Sequence, residues 1–256
     1  MWADFSSYGY ELPVIEFYGH TKGHHRAFSN FYEHAAFTFT VPECCGRAEL
    51  EASGRPSSVA VTFTEKAIML CKASVMGDYE TYDAIMRAPD PRTTKALGRS
   101  VHPWRQQLWE SVVCEVGREC VTQKFTLVPG LSNMLLKTGN QLIAEMTRND
   151  ANWGTGLDVG HADANSPGRW RGTNILGWSL MMARESLRGD AAQEPIAIKR
   201  QKTMEEADES DEPAAQDDVL DGGEEAASTS VEPKAKWKGK AKAARPIKHA
   251  DVSDAY

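Results

Sequence analysis

The residues best suited to chemistry are Glu65 and Lys72, an acid and a base seven positions apart in a segment with helical periodicity. Because seven residues make about two helical turns, both side chains lie on one helix face, together with Ile68 and Met69. An isolated buried ion is very costly, so burial of this face predicts an ion pair or a catalytic acid. The alternative is that Glu65 is a first-turn carboxylate that interacts only with the helix dipole.

A second acid, Asp150, lies in a loop rich in glycine and asparagine, shortly before Trp153, Gly154 and Gly156. Glycines allow the backbone to approach a ligand closely, so this loop is suited to direct Asp150 at a ligand on which Trp153 stacks. An Asx turn beside a core tryptophan explains the same residues equally well.

Asparagines beside large aromatic residues mark two further candidate positions. Asn30 precedes Phe31, and Asn174 lies shortly after Trp170, just before a predicted helix. Each asparagine is either a ligand-binding amide or a partner for nearby backbone groups. Trp109 lies on the apolar stripe of another predicted helix, where it is either part of the core or the wall of a pocket.

Several common chemistries have no signature in the sequence. His20, His24 and His25 include a pair with i, i+4 spacing, but they lie in a Gly/Lys loop without a clear carboxylate partner. We therefore predict no metal site. The sequence contains no GxGxxG fingerprint, no Walker A loop and no GxSxG elbow, so we expect neither a redox cofactor nor acyl-transfer chemistry.

The elements that position these residues predict an α+β domain with more helix than strand. Thr64 is the expected N-cap of the first long helix, and Asp90 is the expected cap of a later one. Gly98 and Gly189 are expected helix ends, and Glu43 to Pro56 is an expected loop. The predicted strands are 14–18, 36–40 and 59–63; the predicted helices are 65–76, 78–87, 91–98, 103–122, 129–137 and 174–188; and 141–147 is either a strand or a helical turn.

The last part of the chain differs in composition. Residues 190–256 carry ten basic and sixteen acidic residues, which accounts for most of the net charge of −7 and leaves the preceding part nearly neutral. They offer little apolar surface to offset the entropy of ordering. We therefore predict a single domain over 1–189 and a disordered tail over 190–256, acidic at 205–225 and basic after Pro233.

The charge distribution also bears on partners. A nearly neutral domain argues against broad electrostatic binding of nucleic acid. The basic end of the tail is a candidate for weak contact with nucleic acid or for a nuclear localisation signal, and the alternative is a solvated tail without a partner.

Cysteine usage and hydropathy point to an intracellular protein. Five cysteines, an odd number without paired zinc spacing, predict reduced thiols. The first residues lack a basic start and an apolar core, and no run of about eighteen apolar residues occurs. We expect a cytoplasmic or nuclear protein that does not span a membrane.

Taken in order, these segments resemble the NADAR (YbiA-like) family across residues 17–188. The resemblance is carried by FYGH, FSNFY, TEKAIMLCKASVMGD, KALGRSVHPWRQQLW, Lys124-Phe125, LLKTG, Glu145, DANWGTG and WRGTNILG. It departs from the family pattern at Met69, at His102-Pro103-Trp104 and in an insertion around Cys44 to Pro56. The first two departures lie on segments expected to line the pocket, where they can alter which base is accepted.

The resemblance implies a helix-rich YbiA-like domain and an N-glycosidase that hydrolyses a ribose C1′–N bond in a nucleotide-like small molecule. It implies two substrate types: a phosphoribosylaminopyrimidine intermediate of riboflavin synthesis, and an ADP-ribosyl group attached to guanine. No metal or other cofactor is required. The alternative is a non-catalytic module that binds NAD or ADP-ribose.

Breaking such a bond passes through an oxocarbenium-like state, which needs negative charge near C1′ and a base to activate water. The resemblance favours Glu65 and Asp150 as the catalytic acids and leaves open which one activates water. The expected substrate-binding residues are Trp109 and Trp153 for stacking, Asn30 and Asn174 for hydrogen bonds, Gly154 for close backbone approach, and Lys72 and Arg99 for a phosphate.

Overall fold

Seven helices and four short strands form the part of the chain that the structure, a computed structural model, describes: residues 13–193. The strands are β1 (Val14–Phe17), β2 (Phe37–Thr40), β3 (Ser58–Val61) and β4 (Leu142–Glu145). The helices are α1 (Arg47–Ala52), α2 (Thr64–Met76), α3 (Tyr79–Arg87), α4 (Pro91–Arg99), α5 (Gln106–Leu127), α6 (Leu131–Leu136) and α7 (Ile175–Gln193). The prediction of a helix-rich α+β fold is confirmed.

The strands pair in two separate two-stranded sheets among the described residues. β1 lies parallel to β4 with Phe17 opposite Glu145, and β2 is antiparallel to β3. The segment 141–147, which the sequence left between strand and helical turn, therefore forms a strand over its middle part, Leu142–Glu145. Its last residue, Glu145, lies where the chain leaves the sheet for the loop that carries Asp150.

Helix α2 lies at the centre of the fold and is buried along most of its length. It ends at Met76 and is capped by Gly77, whose positive φ of 71° allows its N–H to bond back to the carbonyls of Ala73 and Ser74. Asp78 then caps α3 by accepting a hydrogen bond of 3.0 Å from the N–H of Thr81. Helices α3, α4 and α5 all pack against α2, so they are held around the segment that carries Glu65.

A glycine brings α4 unusually close to α2. A Cβ atom at Gly98 would lie 1.9 Å from the Sδ atom of Met69, which no real contact allows. The missing side chain lets α4 pack closely on the part of α2 that carries Met69. This approach sets the position of the basic residues Lys95 and Arg99.

The predicted loop from Glu43 to Pro56 was wrong. It contains a 3-10 helix over Glu43–Cys45 followed by α1, and both are anchored because Cys45 and Leu50 are fully buried. A sequence pattern of six helical residues is too short to distinguish from a loop, since tertiary burial decides whether it forms.

The predicted helix ends also needed correction. The N-cap of α2 is Phe63, without a side-chain cap bond, and Thr64 is already helical. Gly98 and Gly189 lie inside α4 and α7, which end at Arg99 and Gln193. Glycine ends a helix when it takes a positive φ, and neither of these two does. Helix α5 begins and ends later than expected, at Gln106 and Leu127.

The predicted domain boundary at residue 189 falls within α7, and all the described residues lie in one compact unit. The predicted acidic and basic tail beyond residue 193 lies outside the described residues. Across 13–193, none of the helices is both long enough and apolar enough to cross a membrane.

Candidate active site

Glu65 lies in the first turn of α2 and is only 5% exposed. Its backbone N–H donates a hydrogen bond of 2.9 Å to the carbonyl of Asn30. The pKa of the Glu65 carboxyl is raised to about 6, mainly by burial and also by the charge of Asp150. The charges of Lys95, Lys72 and Arg99 oppose that rise, Lys95 most strongly. Four charged groups therefore act on this one buried carboxyl. Asp150, Lys72 and Arg99 are predicted site residues, and Lys95 is not.

Lys95 is a member of this cluster that sequence reasoning missed. It lies one helical turn before Arg99 on α4, half-buried, with its Nζ atom 5.3 Å from the centre of the Phe31 ring. The i, i+4 spacing from Arg99 was the available signal, since residues four apart share a helix face.

Asp150 is held in a fixed orientation by its own loop. Its Oδ1 atom accepts hydrogen bonds from the N–H groups of Asn152 (3.1 Å) and Trp153 (2.8 Å). Gly154 lies so close to the strand end that a Cβ atom there would be 2.9 Å from the carbonyl oxygen of Glu145. The Asx turn and the glycine thus bring Asp150 beside Glu145 and Glu65.

Glu145 is a second site residue absent from the predicted set. It is 9% exposed, and its Oε1 atom accepts a hydrogen bond of 2.8 Å from the hydroxyl of Thr147. Its buried Oε2 atom has no hydrogen-bond partner among the described residues. The pKa of Glu145 is raised to about 7, mainly by burial and also by the charge of Asp150. The hydrogen bond from Thr147 and the charge of Lys95 oppose this rise. An acid within the apolar run of β4 was the signal in the sequence.

Asn174 aligns the strand that carries Glu145. Its Oδ1 atom accepts from the backbone N–H of Glu145 at 3.0 Å, and its Nδ2 atom donates to the carbonyl of Ile143 at 2.9 Å. A Cβ atom at Gly177 would lie 2.1 Å from that same carbonyl, so the glycine is needed for the approach. Both polar atoms of the Asn174 amide thus bond to β4. A hydrogen bond from Asn174 to a substrate stays a prediction.

Asn30, whose backbone carbonyl accepts the hydrogen bond from Glu65, has an unpartnered side-chain acceptor. It is almost fully buried, and none of the described residues hydrogen-bonds its Oδ1 atom. A buried amide oxygen without a partner is costly, which makes a bound N–H or O–H donor an effective partner.

Lys124 supports the segment that carries Asn30. Its Nζ atom donates to the carbonyls of Ala27 (2.6 Å) and Ser29 (3.1 Å), and the residue is 1% exposed. Burial lowers the pKa of this ammonium to about 7. The lysine therefore positions the backbone just before Asn30.

The predicted stacking residues lie at the edges of the cluster. Trp153 is half-buried against the core, near Gly117 on α5. Trp109 is also half-buried and has its ring centre 6.2 Å from that of Trp104. Lys72 lies below Trp104, and its Nζ atom is 4.4 Å from the centre of that ring. Burial lowers the pKa of Lys72, while the charge of Glu65 raises it.

The arrangement brings together three carboxyl groups and three basic groups from α2, α4, β4 and the loop after β4. Two of the carboxyls have raised pKa values near neutrality, so the site is able to hold and release a proton. Mixed charge of this kind suits hydrolysis through a cationic transition state with a phosphate nearby.

A family model described as the NADAR domain matches residues 16–188 of the chain. N-glycosidase R617 of Acanthamoeba polyphaga mimivirus is 34% identical over 121 residues, which are 47% of this chain and 71% of the viral protein. N-glycosidase YbiA of Escherichia coli K12 is 33% identical over 110 residues, 43% of this chain and 62% of that protein.

The riboflavin biosynthesis protein VVA0006 of Vibrio vulnificus is 33% identical over 120 residues, 47% of this chain and 30% of its own length. Among solved structures, the NMR structure of the Escherichia coli protein YbiA matches with a TM-score of 0.52 and 26% identity, and the match covers 73% of this chain and 91% of that one. The fold is therefore YbiA-like. The matched segments span less than two thirds of the Vibrio and Escherichia coli proteins.

Proposed function

Because the chain belongs to the NADAR family, we propose that it is an N-glycosidase that hydrolyses the ribose C1′–N bond of a small nucleotide-like substrate. The observation that carries the proposal is the convergence of Glu65 and Asp150. They lie 85 residues apart in the sequence, yet the charge of Asp150 raises the pKa of the buried Glu65 carboxyl. The names of the viral and bacterial relatives support the same reaction.

The three carboxyl groups of the site are suited to different steps of the hydrolysis. As the C1′–N bond breaks, positive charge develops on the sugar, and an ionised carboxylate beside C1′ stabilises it. Glu65 and Asp150 are the candidates for this role and for taking a proton from the attacking water. Glu145, whose pKa of about 7 lets it hold a proton at neutral pH, is suited to protonate the departing nitrogen.

The basic residues define the other half of the substrate. The charges of Lys72, Lys95 and Arg99 all act on Glu65, and these side chains are suited to bind a phosphate on the ribose. The unpartnered Oδ1 atom of Asn30 is suited to accept a hydrogen bond from an N–H on the edge of the base. We propose that the substrate contains a phosphorylated ribose and a planar base.

We propose two substrate types of this class, and a relative's name favours one of them. The Vibrio protein is named for riboflavin biosynthesis, which favours the phosphoribosylaminopyrimidine intermediate. ADP-ribosyl-guanine presents the same ribose C1′–N bond and is the second candidate.

The test is to incubate the full chain with each compound and to follow release of ribose phosphate or ADP-ribose by mass spectrometry. Glu65→Ala and Asp150→Ala are the test variants. Glu80→Ala is the matched control, because Glu80 is an exposed acid in the first turn of α3. Release that disappears in both test variants and persists in the control supports the enzyme and names its substrate. Binding without release in the wild type would instead support the ligand-binding module.

A further inference from the structure

Trp104 is an exposed indole at the rim of the charge cluster. It lies between α4 and α5 and is 42% exposed. One face of its ring lies over the ammonium of Lys72, at 4.4 Å from Nζ to the ring centre. Its Nε1–H donates a hydrogen bond of 2.9 Å to the Oε1 atom of Gln106. The ring is therefore held by its inner face and by its polar edge, and the outer face remains available.

The backbone around this indole is fixed to the end of α2. The guanidinium of Arg105 donates to the carbonyls of Val75 (3.2 Å) and Met76 (3.4 Å). On the other side, the N–H of His102 donates to the Oδ2 atom of Asp78 at 2.9 Å. Contacts on both sides of Trp104 hold its position, which distinguishes it from a freely rotating surface aromatic residue.

Lys72 connects the indole to the candidate chemistry. Its charge acts on the buried carboxyl of Glu65, and that of Glu65 acts on Lys72. A cation attracts the π-electrons of the ring face that it touches. The opposite face of the indole is then a better partner for an electron-rich planar ring, such as a guanine or a diaminopyrimidine.

The other tryptophans near the site are less available. Trp109 and Trp153 are both half-buried and pack against the core. Trp109 has its ring 6.2 Å from that of Trp104, at an interplanar angle of 51°. It thus lies beside the exposed indole and supports it, while Trp104 presents the larger free face.

We propose that Trp104 determines base specificity: its outer face stacks on the planar base of the substrate, while Lys72 holds its inner face. This inference rests on the proposed N-glycosidase function and adds which side chain recognises the base. Stacking of a base on an aromatic side chain contributes enough binding energy to change affinity on the order of tenfold.

The test uses two probes with the full chain: guanosine 5′-monophosphate, which carries a base on C1′, and ribose 5-phosphate, which carries a hydroxyl there instead. The expected result is tighter binding of the nucleotide by the wild type. Trp104→Ala should weaken nucleotide binding on the order of tenfold. It should weaken ribose 5-phosphate binding less, and only because Lys72 loses the ring that packs on its ammonium. Trp104→Phe should keep most of the preference, because a smaller ring still stacks.

Leu127→Ala is the matched control. Leu127 is also an exposed apolar residue, at 50%, and it lies at the far end of the 22-residue helix α5 from Trp104. At about 1.5 Å per residue, that is a separation on the order of 30 Å. Its loss should change neither affinity.

A second measurement does not depend on the alanine variant being well folded. In the wild type, the indole N–H resonance of Trp104, identified by its loss in Trp104→Phe, should shift with the nucleotide and stay in place with ribose 5-phosphate. An unshifted resonance, or equal affinity of the wild type for the two probes, would overturn the inference whether or not hydrolysis occurs. Hydrolysis with an unchanged nucleotide preference in Trp104→Ala would overturn this inference and leave the proposed function standing.

Discussion

Two of the regions in which the described residues bury charge are built differently. Under the segment before Asn30, the ammonium of Lys124 is satisfied by two backbone carbonyls, and only burial shifts its pKa. Around Glu65, groups of both signs act on one another, and the described residues leave the Oδ1 atom of Asn30 and the Oε2 atom of Glu145 without hydrogen-bond partners.

The difference shows that a perturbed pKa does not by itself identify an active site. Both regions have titration shifted by burial, as desolvation requires. Of these two regions, only the one around Glu65 combines charges of both signs with unpartnered polar atoms, which a ligand is able to satisfy. We therefore assign stability to Lys124 and chemistry to the cluster around Glu65, and the following variants test that division.

The largest effect is expected for Glu65→Gln. The amide keeps the shape of the side chain but cannot carry negative charge or accept a proton, so kcat/KM should fall on the order of 10³-fold. The melting temperature should stay the same or rise, because the variant no longer buries a carboxylate. Enzyme assays and thermal unfolding of one preparation measure both. Glu80→Gln, at the first turn of α3, should change neither; equal losses in the two variants would mean that Glu65 is only a first-turn carboxylate.

The next effect is expected for Lys124→Met, which keeps an unbranched side chain of similar shape and removes the ammonium. The carbonyls of Ala27 and Ser29 lose their partner, so the free energy of unfolding should fall by about 1–3 kcal/mol. Urea denaturation measures this at fixed pH. An unchanged denaturation midpoint together with a large loss of kcat would place Lys124 in the chemistry and erase the contrast between the regions.

Glu145→Gln should become more stable relative to the wild type as the pH rises. The pKa of Glu145 is about 7 in the folded protein and near 4.5 without burial. A raised carboxyl pKa contributes stability at low pH that is lost as the pH rises through the folded value. Between pH 6 and 7 the variant should therefore gain about 1 kcal/mol in unfolding free energy relative to the wild type. A constant difference across this range would show that Glu145 is ionised throughout.

Lys124 should make the unfolding free energy of the wild type depend on pH in the opposite direction, by a similar or smaller amount. Its pKa is about 7 in the folded protein and near 10.5 without burial. The unfolded chain then binds more protons above pH 7, so the wild type gains stability as the pH rises. From pH 7 to 8 it should gain about 1 kcal/mol over Lys124→Met. Urea titrations of the two proteins at both pH values measure the difference, and parallel behaviour would mean that Lys124 remains charged.

Local patterns in the sequence were sufficient for much of the architecture. Asp90 followed by a first-turn proline marked the start of α4, because side-chain caps act within one turn. The helical spacing of Glu65 and Lys72 placed both on α2, because helical periodicity is also a local pattern. The extent of α1 and the continuation of α7 past Gly189 were not predictable, since tertiary burial overrides local preference there.

The sequence by itself determined the candidate acids Glu65 and Asp150, because their residue types and local motifs can be read along the chain. Only the tertiary structure decided that Lys95 and Glu145 join them, that Asn174 supports β4, and that Trp104 lies over Lys72. These contacts link residues far apart in sequence. They depend on the close approach of α2 to α4 at Gly98 and on the pairing of β4 with β1, and neither leaves a periodic signal in the chain.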